Sequence, residues 1–454
     1  MPVTRNFKQA FSGGEISPEM FGRIADNKFQ QGAATMRNFV AKPQGPAQNR
    51  PGFAFVREVK DSTKSTRLLS FTFNTTQTMV LEFGDQYFRF HTQGQTLFYT
   101  NGAAWSGSTT YAVGDIALYN GVNYYCVVAH TNSTPPHSSW YAMPTNPNVY
   151  EIPHPYLEAE LFDVNYVQSA DVITLVHPNH APRELRRLGA TQWELRVIDF
   201  GSPLSPPTNV SSSMYIPSST STSTDTYVAH EYVVTAVKAN LVDESNQSSA
   251  TNVNNNIFVT GAKNTISWNA VTGASRYRVY KQQGGIYGFL GETTGTSLVD
   301  DNIAPDFSKT PPIHENDFVG SGNYPGAVSY FEQRRVFAGT NNAPQNIWMT
   351  KSGTESNMSF GIPIRDDDRI EFRVAAREAN TIRHIVPLTN LLMLTGSAEW
   401  RVTSVNSDAI TPTSISVKPQ SYVGANNAQP VIVNNSLVYA AARGGHIREL
   451  GYNW

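Results

Sequence analysis

Apolar and polar residues alternate in short runs over most of this chain, and Gly, Pro, Asn or Asp interrupts the runs every 8–12 residues or so. A two-residue period puts every second side chain on one face of an extended strand, so it specifies half-buried β-strands and is incompatible with amphipathic helices. Leu69, Phe71 and Phe73 share one parity, Met79, Leu81 and Phe83 follow, and Tyr87 to Phe90 come next, separated by Gly84-Asp85 and closed by Gln93-Gly94. Further strand-like runs are Leu161 to Tyr166, Val172 to Val176, Glu184 to Leu188, Trp193 to Val197, Val328 to Ala338, Gln345 to Met349, Arg369 to Val374, Ile382 to Val386, Leu391 to Thr395, Glu399 to Val402, Val431 to Val433 and Leu437 to Ala440. The predicted class is all-β, with meanders of the size found in sandwiches and propeller blades.

Composition agrees. Charged residues make up only 15% of the 454 residues, and Ser, Thr, Asn, Gln and Gly take their place. Coiled coils and helical bundles need far more Glu, Lys and Ala. The net charge of −2 lacks the Lys and Arg excess of a tight phosphate binder. Cys126 is the single cysteine, so neither an intrachain disulfide nor a cysteine zinc site can form. The N-terminus has no apolar signal segment and no run of 18 or so apolar residues occurs anywhere, so synthesis in a reducing cytoplasm is expected. A chain of this length spans several domains.

Three stretches differ from the meanders. Residues 101–146 are dense in Tyr and Trp and nearly free of charge, which marks an inserted module. Residues 201–226 are rich in Pro, Ser and Thr and read as a linker. Residues 1–56 are rich in turns, with a short helix expected after Ser17-Pro18. The expected division is 1–100 (an N-terminal segment and first meander strands), 101–146 (insert), 147–205 (strands), 206–312 (a second small module) and 313–454 (strands). The run Tyr452-Asn453-Trp454 follows a strand without a polar tail, and further residues are expected after it.

The search for catalytic chemistry returns little. There is no P-loop and no G-x-S-x-G elbow. His130 and His137 lack a partner motif and read as turn or surface histidines. Asp366, Asp367, Asp368 and Glu371 could supply a carboxylate pair for glycoside hydrolysis. Arg365 and Arg369 flank them, so a solvated, self-neutralised turn is the expectation. No enzyme, cofactor or metal site is expected.

Resemblance adds a functional expectation. Phe11 to Pro18, Gly22-Arg23, Arg37-Asn38-Phe39, Pro43-Gln44-Gly45 and Arg50-Pro51-Gly52 resemble the start of structural proteins of short-tailed bacteriophages. Tyr330 to Gly339, Pro344 to Trp348, Asp366 to Phe372, Asn380 to Arg383 and Gly396 to Val402 resemble the tail nozzle proteins of the same phages. Taken without the resemblance, the same glycines serve as turns and the Arg-Arg and Asp-Asp-Asp runs as solvated charges. The resemblance implies a β-propeller core and a homohexameric ring beneath a tail adaptor ring. It also implies tail fibres or spikes as neighbours, and double-stranded DNA passing without sequence-specific binding. The implied location is the tail of the virion, after synthesis in the host cytoplasm.

Trp105, Tyr111, Tyr119, Tyr124, Tyr125 and Trp140 give residues 101–146 a likeness to small chitin- and cellulose-binding modules. Flat aromatic faces stack on sugar rings, and these six are the candidate glycan-binding residues. They could equally be the core of so small a domain. Residues 268–280, with Trp268, Tyr277 and Tyr280, resemble adjacent strands of a fibronectin type III sandwich. Tyr232 to Val237 resembles later strands of that fold but comes earlier here, which leaves open one rearranged sandwich or parts of two. Three functions are therefore weighed: a nozzle subunit, a tail adhesin for host-surface glycans, and a secreted polysaccharide-degrading enzyme. The missing signal segment and acid pair count against the third.

Overall fold

The computed structural model describes residue 8 and residues 10–451, apart from 75–76, 218–225, 376–379, 406 and 444. The Tyr452–Trp454 run and the middle of the Ser/Thr stretch lie outside these residues. The chain divides into two units, Met1–Glu58 and Val59–Trp454.

The first unit has little regular structure. Gly14–Glu15 pairs with Gly32–Ala33 in parallel, and Phe39–Ala41 forms a hairpin with Ala47–Asn49. Ser17 caps a short 3-10 helix, Pro18–Met20, where a short helix is expected; Asp26 caps a one-turn helix, Asn27–Gln30. Gly32 and Gly45 are the only buried residues described in this unit, while Phe53 is 89% exposed and Phe21, Ile24, Phe39 and Phe55 are exposed too.

The second unit is nearly all β; the protein is 44% strand and 3% helix, and the described residues form no closed barrel. It is built from successive antiparallel sheets. The first comprises Arg67–Thr72, Thr78–Gly84, Tyr87–Thr92 and Glu151–Pro153, with Gln95–Thr96 added beside Tyr87–Thr92. The second is a meander of Asn165–Ser169, Val172–His177, His180–Gly189 and Gln192–Val197. The third joins Ala327–Phe331, Arg334–Ala338, Asn346–Met349 and Ile370–Arg373; the fourth joins Ile382–Pro387, Leu391–Thr395, Glu399–Thr403 and Ser416–Ser421. The last has three strands, Val431–Val433, Ser436–Ala440 and Ile447–Leu450.

Consecutive sheets pack face to face. Phe71, Phe83 and Phe90 of the first meet Ile173, Leu185 and Trp193 of the second. Val176 and Phe200 meet Val328, Phe337 and Trp348 of the third. Val336 and Ile347 meet Ile385, Leu391 and Met393 of the fourth, and Leu392 and Leu394 meet Leu437 and Tyr439 of the last. A sheet covered on both faces needs apolar residues at both parities, which is why Leu391–Thr395 is buried at every position.

Several expectations are corrected. The Leu161 to Tyr166 run is not one strand: Leu161 ends a 3-10 turn, Glu158–Glu160, and the strand begins at Asn165. Val328 to Ala338 is a hairpin whose turn residues Glu332 and Gln333 both have positive φ. No Asn or Gly marks that turn; instead the Glu332 carboxylate accepts a 2.7 Å hydrogen bond from Ile410 N–H. Arg334 and Arg335, read as solvated turn charges, are buried in the returning strand. The expected 201–226 linker contains a strand, Ser211–Tyr215, paired with Lys263–Ser267. Its side chains bury little, so the hydrophobic pattern gave no sign of it.

That strand completes a sandwich. A three-stranded sheet (Ser211–Tyr215, Lys263–Ser267, Ser297–Asp300) faces a four-stranded one (Thr251–Asn255, Val228–Val237, Arg276–Gln283, Ile286–Thr293). Tyr232, Val234, Ile266, Trp268, Tyr277 and Val279 fill the space between them. It is one sandwich rather than parts of two. Val228–Val237 precedes the Trp268 segment in sequence yet pairs with Arg276–Gln283 in the same sheet.

Candidate carbohydrate-binding face

The insert leaves after Gln95–Thr96 and returns at Glu151–Pro153, two strands that both pair with Tyr87–Thr92. Thr96 pairs with His91 and Glu151 pairs with Arg89, so the intervening residues loop out without breaking the first sheet. Within the insert the strand order is Trp140–Ala142, Val122–Cys126, Ile116–Tyr119, Ala103–Ala104. Thr110–Tyr111 and His130–Thr131 pair separately.

Register decides which aromatics can meet a ligand. Ile116, Tyr125 and Tyr141 lie in one cross-strand row, and Ala117, Tyr124 and Ala142 in the next. Neighbouring rows point to opposite faces. The Ile116–Tyr125–Tyr141 row packs on the core of the first two sheets. Tyr125 is 2% exposed, and its hydroxyl donates to Trp193 O at 2.8 Å. It is therefore a docking residue and is withdrawn from the platform.

The opposite face carries a second small core of Tyr111, Ala117, Cys126 and Trp140. Tyr111 and Trp140 are 6% and 7% exposed, with rings edge-on at 4.9 Å, and His130 closes on Trp140 at 4.8 Å. The Trp140 indole donates to Ser133 O at 2.7 Å, and the Tyr111 hydroxyl accepts from Ser106 N–H at 2.8 Å. Both residues build the module and leave no face free for stacking, so they too are withdrawn. His130 belongs to this packing and is not a surface turn residue. Burial pushes the Cys126 thiol up to about 11 and keeps it unreactive.

Trp105, Tyr119 and Tyr124 remain half-buried at the outer edge of this face. The Trp105 and Tyr119 rings meet edge-on at 5.6 Å. Tyr124 sits between Ala117 and Ala142, whose small side chains leave its row uncrowded. The Trp105 indole N–H is itself buried and has no protein partner. Asn132 reaches to the position a Cβ on Gly107 would occupy, and the same position lies 3.4 Å from the Trp105 ring, so a side-chain amide neighbours that ring. The composition of the insert revealed the aromatics but not this amide, which depends on the fold of the 130–132 turn.

Asp366 and Asp367 lie in an exposed turn with Arg365 beside them, as expected, but Asp368 departs from that expectation. Asp368 is fully buried, ion-paired to Lys351 at 3.1 Å, and accepts from Gly361 and Arg365 N–H at 2.9 Å each. The Arg334 guanidinium donates to the carbonyls of Thr350, Asp366 and Asp368. Asp368 and Arg334 thus form an internal brace beneath the exposed Asp366-Asp367 turn.

Residues 104–151 match the sequence profile of carbohydrate-binding module family 5/12. The insert is thus carbohydrate-binding-like in sequence, and its outer face is where a ligand has access to aromatic rings. No curated protein matches the chain significantly. A crystal structure of the computationally designed Ika8 protein is similar over 87% of this chain and 98% of that one, at 9% identity. Its TM-score of 0.18 is too low to carry any argument about the fold.

Proposed function

We propose that this chain is a structural subunit of the tail of a short-tailed phage, a nozzle component whose ring retains and then conducts the genome, and that its insert binds host-surface polysaccharide. The observation that carries the reading is the way both small modules leave a continuous series of stacked sheets. The insert leaves from and returns to strands that pair with the same strand, Tyr87–Thr92. The sandwich falls between the second and third sheets, whose first strands, Asn165–Ser169 and Ala327–Phe331, remain neighbours. Ala327–Phe331 in turn neighbours Ile382–Pro387, the first strand of the fourth sheet. First strands side by side and sheets packed face to face favour blades around an axis, as in a β-propeller.

Three further features support this reading. The net charge of −2 suits a conduit that must not grip DNA phosphates. The first unit buries almost none of its described side chains, as expected for a segment that docks on an adaptor ring. The half-buried Trp105, Tyr119 and Tyr124 and the family 5/12 match favour a β-linked amino-sugar or glucose polymer as the glycan.

Electron microscopy of tails carrying the protein tests the ring: a sixfold assembly with an axial channel wide enough for duplex DNA is expected. A peripheral trimer, or a stable monomer that still binds polysaccharide, would replace the nozzle with a tail adhesin acting through the insert. The family 5/12 match is the observation that favours this second reading.

A further inference from the structure

We propose that Glu160, His177 and His180 form a binding site for one divalent transition-metal ion of the zinc type, which clamps the second sheet to the segment leading out of the first. His177 and His180 end the two strands of a hairpin and pair directly across it, so their rings lie side by side, with centroids 5.4 Å apart. Glu160 comes from the 3-10 turn Glu158–Glu160, which follows the first sheet, and faces both rings. One potential ligand atom from each residue lies within 4.8 Å of the others. Glu160 Oε2 is 2.8 Å from His180 Nε2, and Glu160 Oε1 is 4.0 Å from His177 Nδ1. Side-chain shifts of about 1 Å bring such a set to the roughly 2.0–2.2 Å metal–ligand distances of a zinc site.

The chemistry of the donors selects the ion. Two imidazoles and one carboxylate suit Zn²⁺, Co²⁺, Ni²⁺ or Cu²⁺, whereas Ca²⁺ and Mg²⁺ need mostly oxygen. Neighbouring groups hold Glu160 in place. Its Oε2 accepts from Leu157 N–H at 3.0 Å and its Oε1 from the Asn179 side chain at 3.2 Å, an orienting shell of the kind metal carboxylates have. Binding through Nδ1 would replace the hydrogen bond that His177 accepts from Asn179 N–H at 3.2 Å. The Tyr156 ring walls one side, 5.0 Å from His180 and 6.3 Å from His177. On another side His177 and Asn179 line a cavity of about 380 Å³, which leaves room for water as a fourth ligand.

The test uses the untagged full-length protein stripped with EDTA. Titration with Co²⁺ should give one equivalent bound, with the visible d–d band of a four- or five-coordinate site. Zn²⁺ should displace the Co²⁺, and Ca²⁺ and Mg²⁺ should not. Glu160→Gln and His180→Ala should each weaken binding by more than the roughly 10–100-fold that loss of an outer-shell partner costs. His91→Ala, which removes a separate His–Glu pair with Glu82, should leave binding unchanged. Far-UV circular dichroism of each metal-free variant controls for folding, and Glu160→Gln, isosteric with the native side chain, serves if His180→Ala misfolds. Absence of the band, or affinities unchanged in Glu160→Gln and His180→Ala, would overturn the site.

Discussion

The Tyr125 hydroxyl donates to the Trp193 carbonyl at 2.8 Å, and the Trp193 N–H donates to the Tyr150 hydroxyl at 2.9 Å. One peptide segment of the second sheet is thereby held from the insert on one side and from the first sheet's flank on the other. The insert is consequently seated on the body through one face, and only its other face is available to a ligand.

Stability and ligand retention should separate along that division. Tyr125→Phe strands a buried carbonyl and should cost about 1–3 kcal/mol in urea unfolding, with little change in retention on insoluble chitin or cellulose. Trp105→Ala and Tyr124→Ala should do the reverse: each loses about 1 kcal/mol or more of stacking and reduces retention several-fold, with a small change in stability. Equal retention by wild type and both alanine variants would remove the outer face as the binding site.

Arg335 is fully buried and donates to Glu184 at 2.8 Å, joining the third sheet to the second. Glu184→Ala leaves Arg335 with Glu355, whose side chain is half exposed, and should destabilise by about 3–5 kcal/mol. The double variant Glu184→Leu/Arg335→Met should recover much of that loss, because no stranded charge remains. A loss under about 1 kcal/mol for the single variant would mean that water reaches Arg335.

Acid should weaken the fold in the histidine range. His154 donates from Nε2 to Tyr87 O and accepts from Tyr156 N–H at Nδ1, so its neutral ring is fully used. Burial pulls its pKa down to about 3, and burial also lowers His230, His314 and His384. His154 stays neutral in the fold and the other three rings resist protonation there, while the unfolded chain takes up protons. Stability is therefore full above about pH 6.5 and falls as pH drops below it, by up to about 1.4 kcal/mol per pH unit for each group. The urea midpoint should be lower at pH 5 than at pH 7.5, with a shallower drop in His154→Gln. Identical midpoints would show these rings are not closed to protons.

The sandwich has its own buried polar chain. Asn255 donates to Asn264 and Asn264 to the Tyr232 hydroxyl, which donates to Asp300, each at 2.7 Å; Lys281 pairs with Asp300 at 2.8 Å. Asp300→Ala leaves Lys281 and the Tyr232 hydroxyl without that partner. Hydrogen exchange should then rise across residues 228–300 by the equivalent of about 3–5 kcal/mol, with the first and second sheets nearly unaffected. A uniform increase over the whole chain would mean that the sandwich and the stacked sheets unfold as one unit.

The sequence by itself determined most of the strands, though not Ser211–Tyr215. Two-residue alternation with Gly and Asn-rich turns is a local signal, so the meanders, the aromatic insert and the Trp268–Tyr277 core are legible in the order of residues alone. Parity also dictated that Tyr124 and Tyr125 point to opposite faces, since adjacent residues of a strand must. Only the tertiary structure decided which face is covered, because that depends on Trp193, far along the chain, seating itself against Tyr125. The same reason hid Arg334, Arg335 and Asp368. A charge in a turn and a charge in a core look alike in sequence, and they differ only in whether a partner from another sheet removes the water. The Glu160, His177 and His180 cluster is a third case: no spacing motif joins its members, and a 3-10 turn and a hairpin end meet only when the first and second sheets stack.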